Sequence, residues 1–259
     1  MPNPDIHAAW LRPAAAAAGL LLLWQFESLQ RLPLRPRHRS RLLHAVRNLT
    51  LGALGAGLLR VVAAGLTAAV LEWSATAQSG LLFAASLRSE LRLVAAVVLM
   101  DFWTWSWHRA CHRIPFLWRF HRLHHSDPAM DVTTAFRFHP GELLISAFAR
   151  LPLLVVLGLT ATELLLYETL LLASSQYQHA ALSCNWWDRA LRWLLVTPSV
   201  HRVHHSPQRE FTNSNYASVL NCWDRLFGTW REPQETGDGH NTGVPECGLE
   251  ELRGEGAWP

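Results

Sequence analysis

The chain of 259 residues contains no lysine; all 23 of its basic residues are arginine. That usage reads as the codon bias of a GC-rich, bacterial genome. Charge of either sign is scarce, with charged residues at 17% against roughly 25% in ordinary soluble domains. A net charge of +3 is too small for a nucleic-acid surface, and no basic stripe with interleaved aromatics occurs. Cysteine is sparse as well. Cys111, Cys184, Cys222 and Cys247 form no CxxC pair, which argues against a disulfide framework or a cysteine zinc site. HExxH is missing, so metalloprotease chemistry lacks its general base.

Apolar residues occupy the space left by charge, at 50% of the chain, and there are 13 tryptophans, whose rings favour the headgroup boundary of a bilayer. Five apolar stretches stand out, at about 13–29, 49–73, 91–107, 141–158 and 162–178. Each is near the ~20 residues that a helix needs to cross the hydrocarbon core. The first does not look like a cleaved signal: only Arg12 precedes "PAAAAAGLLLLW", and arginines crowd in after it. The segment "RLPLRPRHRSRLLHAVR" (31–47) carries arginines and no acidic residue, which places it, as a loop, on the cytoplasmic side. Counting crossings from there puts residue 179 onward, and every histidine cluster, on that same side. If 141–178 is instead a shallow re-entrant pair, the conclusion stands. "GALGAGLLR" lies inside an apolar run and reads as small-residue helix packing rather than a nucleotide loop.

Fourteen histidines are present. His7, His38, His44 and His240 are isolated and read as solvated. The other ten fall between 108 and 205. In "HRACH", His108 and His112 are i and i+4 and share a helix face. Asp101, one heptad earlier, points the same way and is expected to hydrogen-bond the outer nitrogen of a ligand. "HRLHH" (His121, His124, His125) and "HRVHH" (His201, His204, His205) each place three imidazoles on one turn. Three from one turn do not comfortably reach a single ion, but they serve two neighbouring ions. As surface accidents these patterns would have to arise three times in one chain, and bare imidazoles would repel one another once protonated. Structural zinc needs only four ligands and usually includes cysteine, while imidazole suits iron, zinc and copper alike. The spacing therefore implies two metals, redox-active, at a membrane surface.

"DFWTWSWHRACH", "LWRFHRLHHSDPAMDVTTAFRFHP", "SSQYQH" and "LRWLLVTPSVHRVHHS…TNSNYASVLNCWDRLFGTW" resemble the fatty acid hydroxylase, or sterol desaturase, family over about residues 95–230. The resemblance implies an integral membrane oxygenase with a histidine-ligated di-iron centre that uses O2 and two electrons to hydroxylate or desaturate a lipid C–H bond. The implied ligands are His108, His112, His121, His124, His125, His201, His204 and His205, with His179 as a ninth. Some members carry another histidine where this chain has Ser183. His139, in "RFHP", falls to a supporting or substrate-site role; Asn215 is expected to hydrogen-bond a ligand and Asp224 to pair with an arginine or histidine. With no haem, flavin or ferredoxin motif in view, the electrons are expected from a separate donor protein.

The expected fold is all-α: an integral membrane bundle of about four or five transmembrane or re-entrant helices under a cytoplasmic histidine-rich helical cap. Residues 1–92 supply the N-terminal helices and basic loop, 93–230 the catalytic domain, and 231–259 a flexible tail. "WWDRALRW" and "NYASVLNCWDRLFGTW" are expected to form an amphipathic cap and membrane-surface anchor. The competing reading is a metal-binding membrane protein without oxygen chemistry, a transporter or lipid-binding scaffold. Against transport, the histidines lie at one membrane face, and only Arg60 and Asp101 count as ionisable groups on a path across. Fatty acyl, sphingolipid, sterol and carotenoid substrates all stay open, as does ether cleavage.

Overall fold

A computed structural model describes residues 4–30, 41–127, 129–183 and 186–233, with backbone alone for 4–11. The chain runs through α1 (Pro4–Gln30), α2 (Arg41–Val62), α3 (Ala64–Ala77), α4 (Leu81–Ala84), α5 (Ser89–Arg113) and α6 (Pro115–His125). A 3₁₀ turn (Val132–Phe136) leads into α7 (Pro140–Leu157), α8 (Ala161–His179), α9 (Trp186–Leu191), α10 (Pro198–His204), α11 (Arg209–Thr212) and α12 (Cys222–Leu226). Among the described residues there is no β-strand, only an isolated bridge between Leu195 and Leu220.

All five apolar stretches are helical. Two helices, α2 and α7, are long and apolar enough to cross a membrane by length and composition. The stretch 49–73 is divided: α2 begins at Arg41, inside the segment expected to be loop, and ends at Val62, and α3 follows after Ala63. Residues 31–40, and the tail from 234, lie outside the described residues. Of the glycines in "GALGAGLLR", Gly55 packs closely on a helix, since a Cβ there would lie 2.5 Å from Leu143 Cδ1 of α7; Gly52 meets Phe136 of the 3₁₀ turn, and Gly57 meets nothing within 4 Å.

The helix ends follow from local chemistry. Pro115, Pro140 and Pro198 each sit in the first turn of a helix, where proline's fixed φ suits the start and its missing N–H goes unneeded. Helices α7 and α8 are joined by a tight turn. Gly158 closes α7 at φ +70°, a left-handed conformation that glycine adopts without penalty, and Thr160 with Glu163 forms a capping box on α8. Arg92 of α5 pins this turn, its Nε donating to Glu163 Oε1 at 2.6 Å and its Nη2 to Gly158 O at 2.7 Å.

The core lies in separate layers. At the turn between α7 and α8, Leu71, Met100, Leu154, Leu164 and Tyr167 pack together. Toward the other end of α5, Trp105 packs with Val196, Val200, Tyr216 and Ala217, backed by Phe102, Trp223 and Trp230. The bundle is more polar than its five stretches suggest. Glu168 of α8 pairs with Arg12 of α1 and, at 2.7 Å, with Arg150 of α7. The segments expected as a surface anchor divide their residues between two environments: Trp186, Trp193 and Leu226 are exposed, while Asp188 and Asp224 are fully buried.

Candidate metal centre

Four helix ends meet beyond the second core layer. Helix α5 contributes His108 and His112, α6 His121, His124 and His125, α8 His179, and α10 His201 and His204 with His205 at its C-cap. Their ring nitrogens fall into two groups, each with its nitrogens within 4.8 Å of one another: His108, His112, His121, His125 and His204, and then His124, His179, His201 and His205. Each HxxHH turn is shared between the groups. The i and i+4 imidazoles enter one group and i+3 enters the other, and the two turns do this in opposite senses. The groups adjoin, with His125 stacked on His205 at 4.4 Å between ring centroids.

The protonation pattern is fixed from outside. His108 Nδ1 lies 2.8 Å from Tyr216 O, His204 Nδ1 2.7 Å from Ser214 O, and His179 Nδ1 2.7 Å from Ser175 O. His124 Nδ1 faces Arg137 O at 3.3 Å. A carbonyl only accepts, so each Nδ1 carries the proton and each Nε2 presents a lone pair. Yet Nε2 of His204 stands 3.0 Å from Nε2 of His108, and Nε2 of His179 stands 3.1 Å from that of His124. Two lone pairs cannot hydrogen-bond to each other. Nitrogens about 2.1 Å from a shared ion and at right angles lie about 3 Å apart, so this spacing fits cation coordination. His112 has both ring nitrogens buried without a hydrogen-bond partner, and so has Nε2 of His121.

Burial keeps the imidazoles in the neutral, ligating form. It pushes His108 down to about 3 and His179 to about 4, and holds His112, His124, His125, His201, His204 and His205 well below the ordinary histidine range. For most of them the neighbouring imidazoles add to the effect. His108 alone among the nine keeps partial exposure.

Several supporting residues sit elsewhere than the sequence suggests. Asp101 does not reach a histidine; its Oδ2 accepts from Leu220 N at 3.0 Å and Trp223 Nε1 at 2.9 Å. A heptad returns to the same face but rises about 10 Å along the axis, too far for a bond to His108. Asn215 holds Val200 O, Arg231 O and Arg231 N rather than a ligand. Its φ of +50° instead turns the segment so that the carbonyls on either side, Ser214 O and Tyr216 O, meet His204 and His108. Asp224 takes no arginine or histidine. It accepts from Trp105 Nε1, Tyr216 N, Ala217 N and Thr229 Oγ1, anchoring that same segment. His139 stays outside both groups and caps α7, its Nδ1 accepting from Gly141 N at 3.0 Å. Ser183 bonds Gln30 of α1 through both N and Oγ.

Other contributors are not evident in the sequence. Glu142, in the first turn of α7, accepts from His121 Nδ1 at 2.7 Å. His44 is not solvated but buried, with Nε2 2.8 Å from Asp127 Oδ1. Asp127 also accepts from Asn48 and Thr134; although burial opposes its charge, His44, Thr134 and the Ala129 N–H hold its carboxyl below the usual range. The side chain of His7, and all of His38 and His240, lie outside the described residues.

Fold and site together define an all-helical protein with a histidine-built candidate metal centre at the ends of its helices. The sequence profile of the fatty acid hydroxylase family matches residues 93–229, just over half of the chain, and the chain belongs to that family. It is 33% identical over 139 residues to an alkylglycerol monooxygenase of Xenopus tropicalis, covering 52% of this chain and 30% of that protein. The human alkylglycerol monooxygenase is 32% identical over 144 residues, covering 54% and 31%. Ornithine lipid hydroxylase OlsE of Rhizobium tropici is 33% identical over 145 residues, covering 55% and 42%. The chain thus spans less than half the length of each. No solved structure matches it.

Proposed function

We propose that the protein is a membrane-embedded di-iron oxygenase that hydroxylates a C–H bond of a lipid. The observation that carries this reading is the convergence of nine imidazoles, eight of them buried, into groups of five and four, with facing Nε2 lone pairs that a shared cation would reconcile. His108, His112, His121, His125 and His204 would hold one iron, and His124, His179, His201 and His205 the other. When bound, the irons would activate O2 with two externally supplied electrons, chemistry that side chains alone do not provide.

The chain's own residues orient, shield and admit. The carbonyls of Tyr216, Ser214, Ser175 and Arg137 keep the Nδ1 protons away from the metal side. Trp118, tilted against His112 and His125 at 5.0 and 5.5 Å between ring centroids, and Phe138, stacked on His124 at 4.3 Å, cover the centre with apolar surface and keep water from it. The partial exposure of His108 marks the side from which an alkyl chain approaches. The relatives' names favour a lipid substrate: alkylglycerol, ornithine lipid and, in a 31% identical fungal protein, fatty acid. With α2 and α7 in the bilayer, the clusters on the cytoplasmic side and a separate protein donating electrons, the site draws its substrate directly from lipid.

Metal content of the detergent-solubilised chain, beside a His124→Ala/His204→Ala variant, tests this. The expected result is about two irons per chain, lost in the variant, and hydroxylated lipid in cells expressing the wild type. Stoichiometric zinc under iron-replete expression, with no lipid product, would instead favour the non-catalytic metal-binding reading.

A further inference from the structure

The outer partners of the imidazoles are not alike. Tyr216, Ser214, Ser175 and Arg137 present neutral carbonyl oxygens to His108, His204, His179 and His124. His121 instead donates Nδ1–H to a carboxylate, Glu142 Oε1, at 2.7 Å. Both side chains are buried, His121 at 4% exposure and Glu142 at 8%. From this we infer that Glu142 makes the two metal sites unequal: the five-imidazole site binds its ion first and more tightly, and the four-imidazole site fills second. This rests on the two-metal reading above.

Three observations support the inference. A carboxylate accepting from a ligand's outer N–H raises the basicity of the nitrogen facing the metal, and here that nitrogen, His121 Nε2, is buried without a hydrogen-bond partner. The second carboxylate oxygen, Glu142 Oε2, is likewise buried and unpartnered. Such a group is expensive to leave unmade unless positive charge stands nearby, and an ion among His108, His112, His121, His125 and His204 supplies it. Glu142 is also held firmly. It lies in the first turn of α7, behind the His139 cap and Pro140, where the helix dipole favours an anion. Cys111 shares this corner, its Sγ lying within 4.8 Å of the His121 and Glu142 ligand atoms.

The second site has four imidazoles and lacks any help from residue 183, where Ser183 is engaged by Gln30. With fewer ligands, the ion there is held more weakly.

The test is a metal titration. Full-length apo-protein in detergent micelles is titrated with Co2+ against a competing chelator and followed by visible absorption. The wild type should show two binding classes. Glu142→Gln keeps an acceptor for His121 Nδ1–H but removes the charge; it should weaken the tighter class about 10–100-fold and leave the other unchanged. Glu142→Asp, which keeps the charge, should recover part of that loss. His201→Ala, in the four-imidazole group, should abolish the weaker class only. Equal weakening of both classes by Glu142→Gln, or none, overturns the inference. So do two indistinguishable classes in the wild type, a result that needs no variant to fold. One ion or none per wild-type chain would sink the two-metal reading itself.

Discussion

Both carboxylate oxygens of Asp224 are taken by donors that fix the segment around Tyr216, namely Tyr216 N, Ala217 N, Thr229 Oγ1 and the indole of Trp105. Asp224→Ala strands these donors in a buried site. Because each bond to a charged group contributes about 1.5–3 kcal/mol without strict additivity, the variant should lose on the order of 3 kcal/mol or more of stability. Thermal unfolding in detergent should show this, together with a reduced metal content, since the carbonyls holding His108 and His204 flank Asn215. Unchanged unfolding would mean that the segment is held by other contacts. At this scale the candidate ligands are legible in the sequence because i, i+3 and i+4 share a face, and the structure divides each HxxHH turn between two histidine groups. The supporting residues are not legible. Periodicity gives direction around a helix but not height along it, which misleads at Asp101. Nor does it reveal partners far away in sequence, as with His44, whose Asp127 lies 83 residues on. For Glu142 the available signal was an acid in the first turn after "HP", and only the docking of α6 against α7 gives it meaning.

Between the two HxxHH turns the chain passes through α7, which packs on α6, and α8, which packs on α10, so the turn joining α7 to α8 must keep its bend. Gly158 is pressed against the end of α3's connection: a Cβ there would lie 2.1 Å from Ser79 O, and its φ of +70° is strained for any L side chain. Gly158→Ala is expected to destabilise the protein by about 1–3 kcal/mol, and more if Ser79 cannot move. Gly65→Ala, with nothing within 4 Å of its Cβ, should be neutral or slightly stabilising by helix propensity. Comparing melting temperatures of the two variants separates backbone strain from general sensitivity to substitution. The turn was readable from two apolar runs around "GLTATE", and capping chemistry explains why the chain turns there. The start of α2 was not, since arginines suggested a loop. In the structure Arg41 pairs with Glu27 of α1, stacks on Trp24 with its guanidinium carbon 3.6 Å from the ring centroid, and donates to Ser28 Oγ at 2.7 Å. Those α1 partners are visible only once the helices pack.

At the level of the whole molecule, the histidine centre makes the metal-free protein sensitive to acid. Unfolded histidine titrates near 6.5, while burial holds His108 at about 3 and His179 at about 4 in the folded chain. Below pH ~6.5 the unfolded state therefore binds protons that the folded state refuses, and each such histidine removes up to about 1.4 kcal/mol of stability per pH unit. The loss runs from pH ~6.5 down to the folded values and vanishes above neutrality. His112, His124 and His204, also depressed by burial, steepen the slope. The same depression keeps the nitrogens free for a cation at neutral pH, so binding there stabilises the fold by mass action. The melting temperature of chelator-stripped protein should therefore hold above neutrality and fall steeply from pH ~6.5 toward ~4.5, and added Fe2+ at neutral pH under anaerobic conditions should raise it. A flat profile in the stripped protein would mean that the imidazoles reach water and take up protons as freely as in the unfolded chain. The converging lone pairs would then not describe the protein in solution, and the family's histidine pattern would have to be explained without a buried, cation-ready centre.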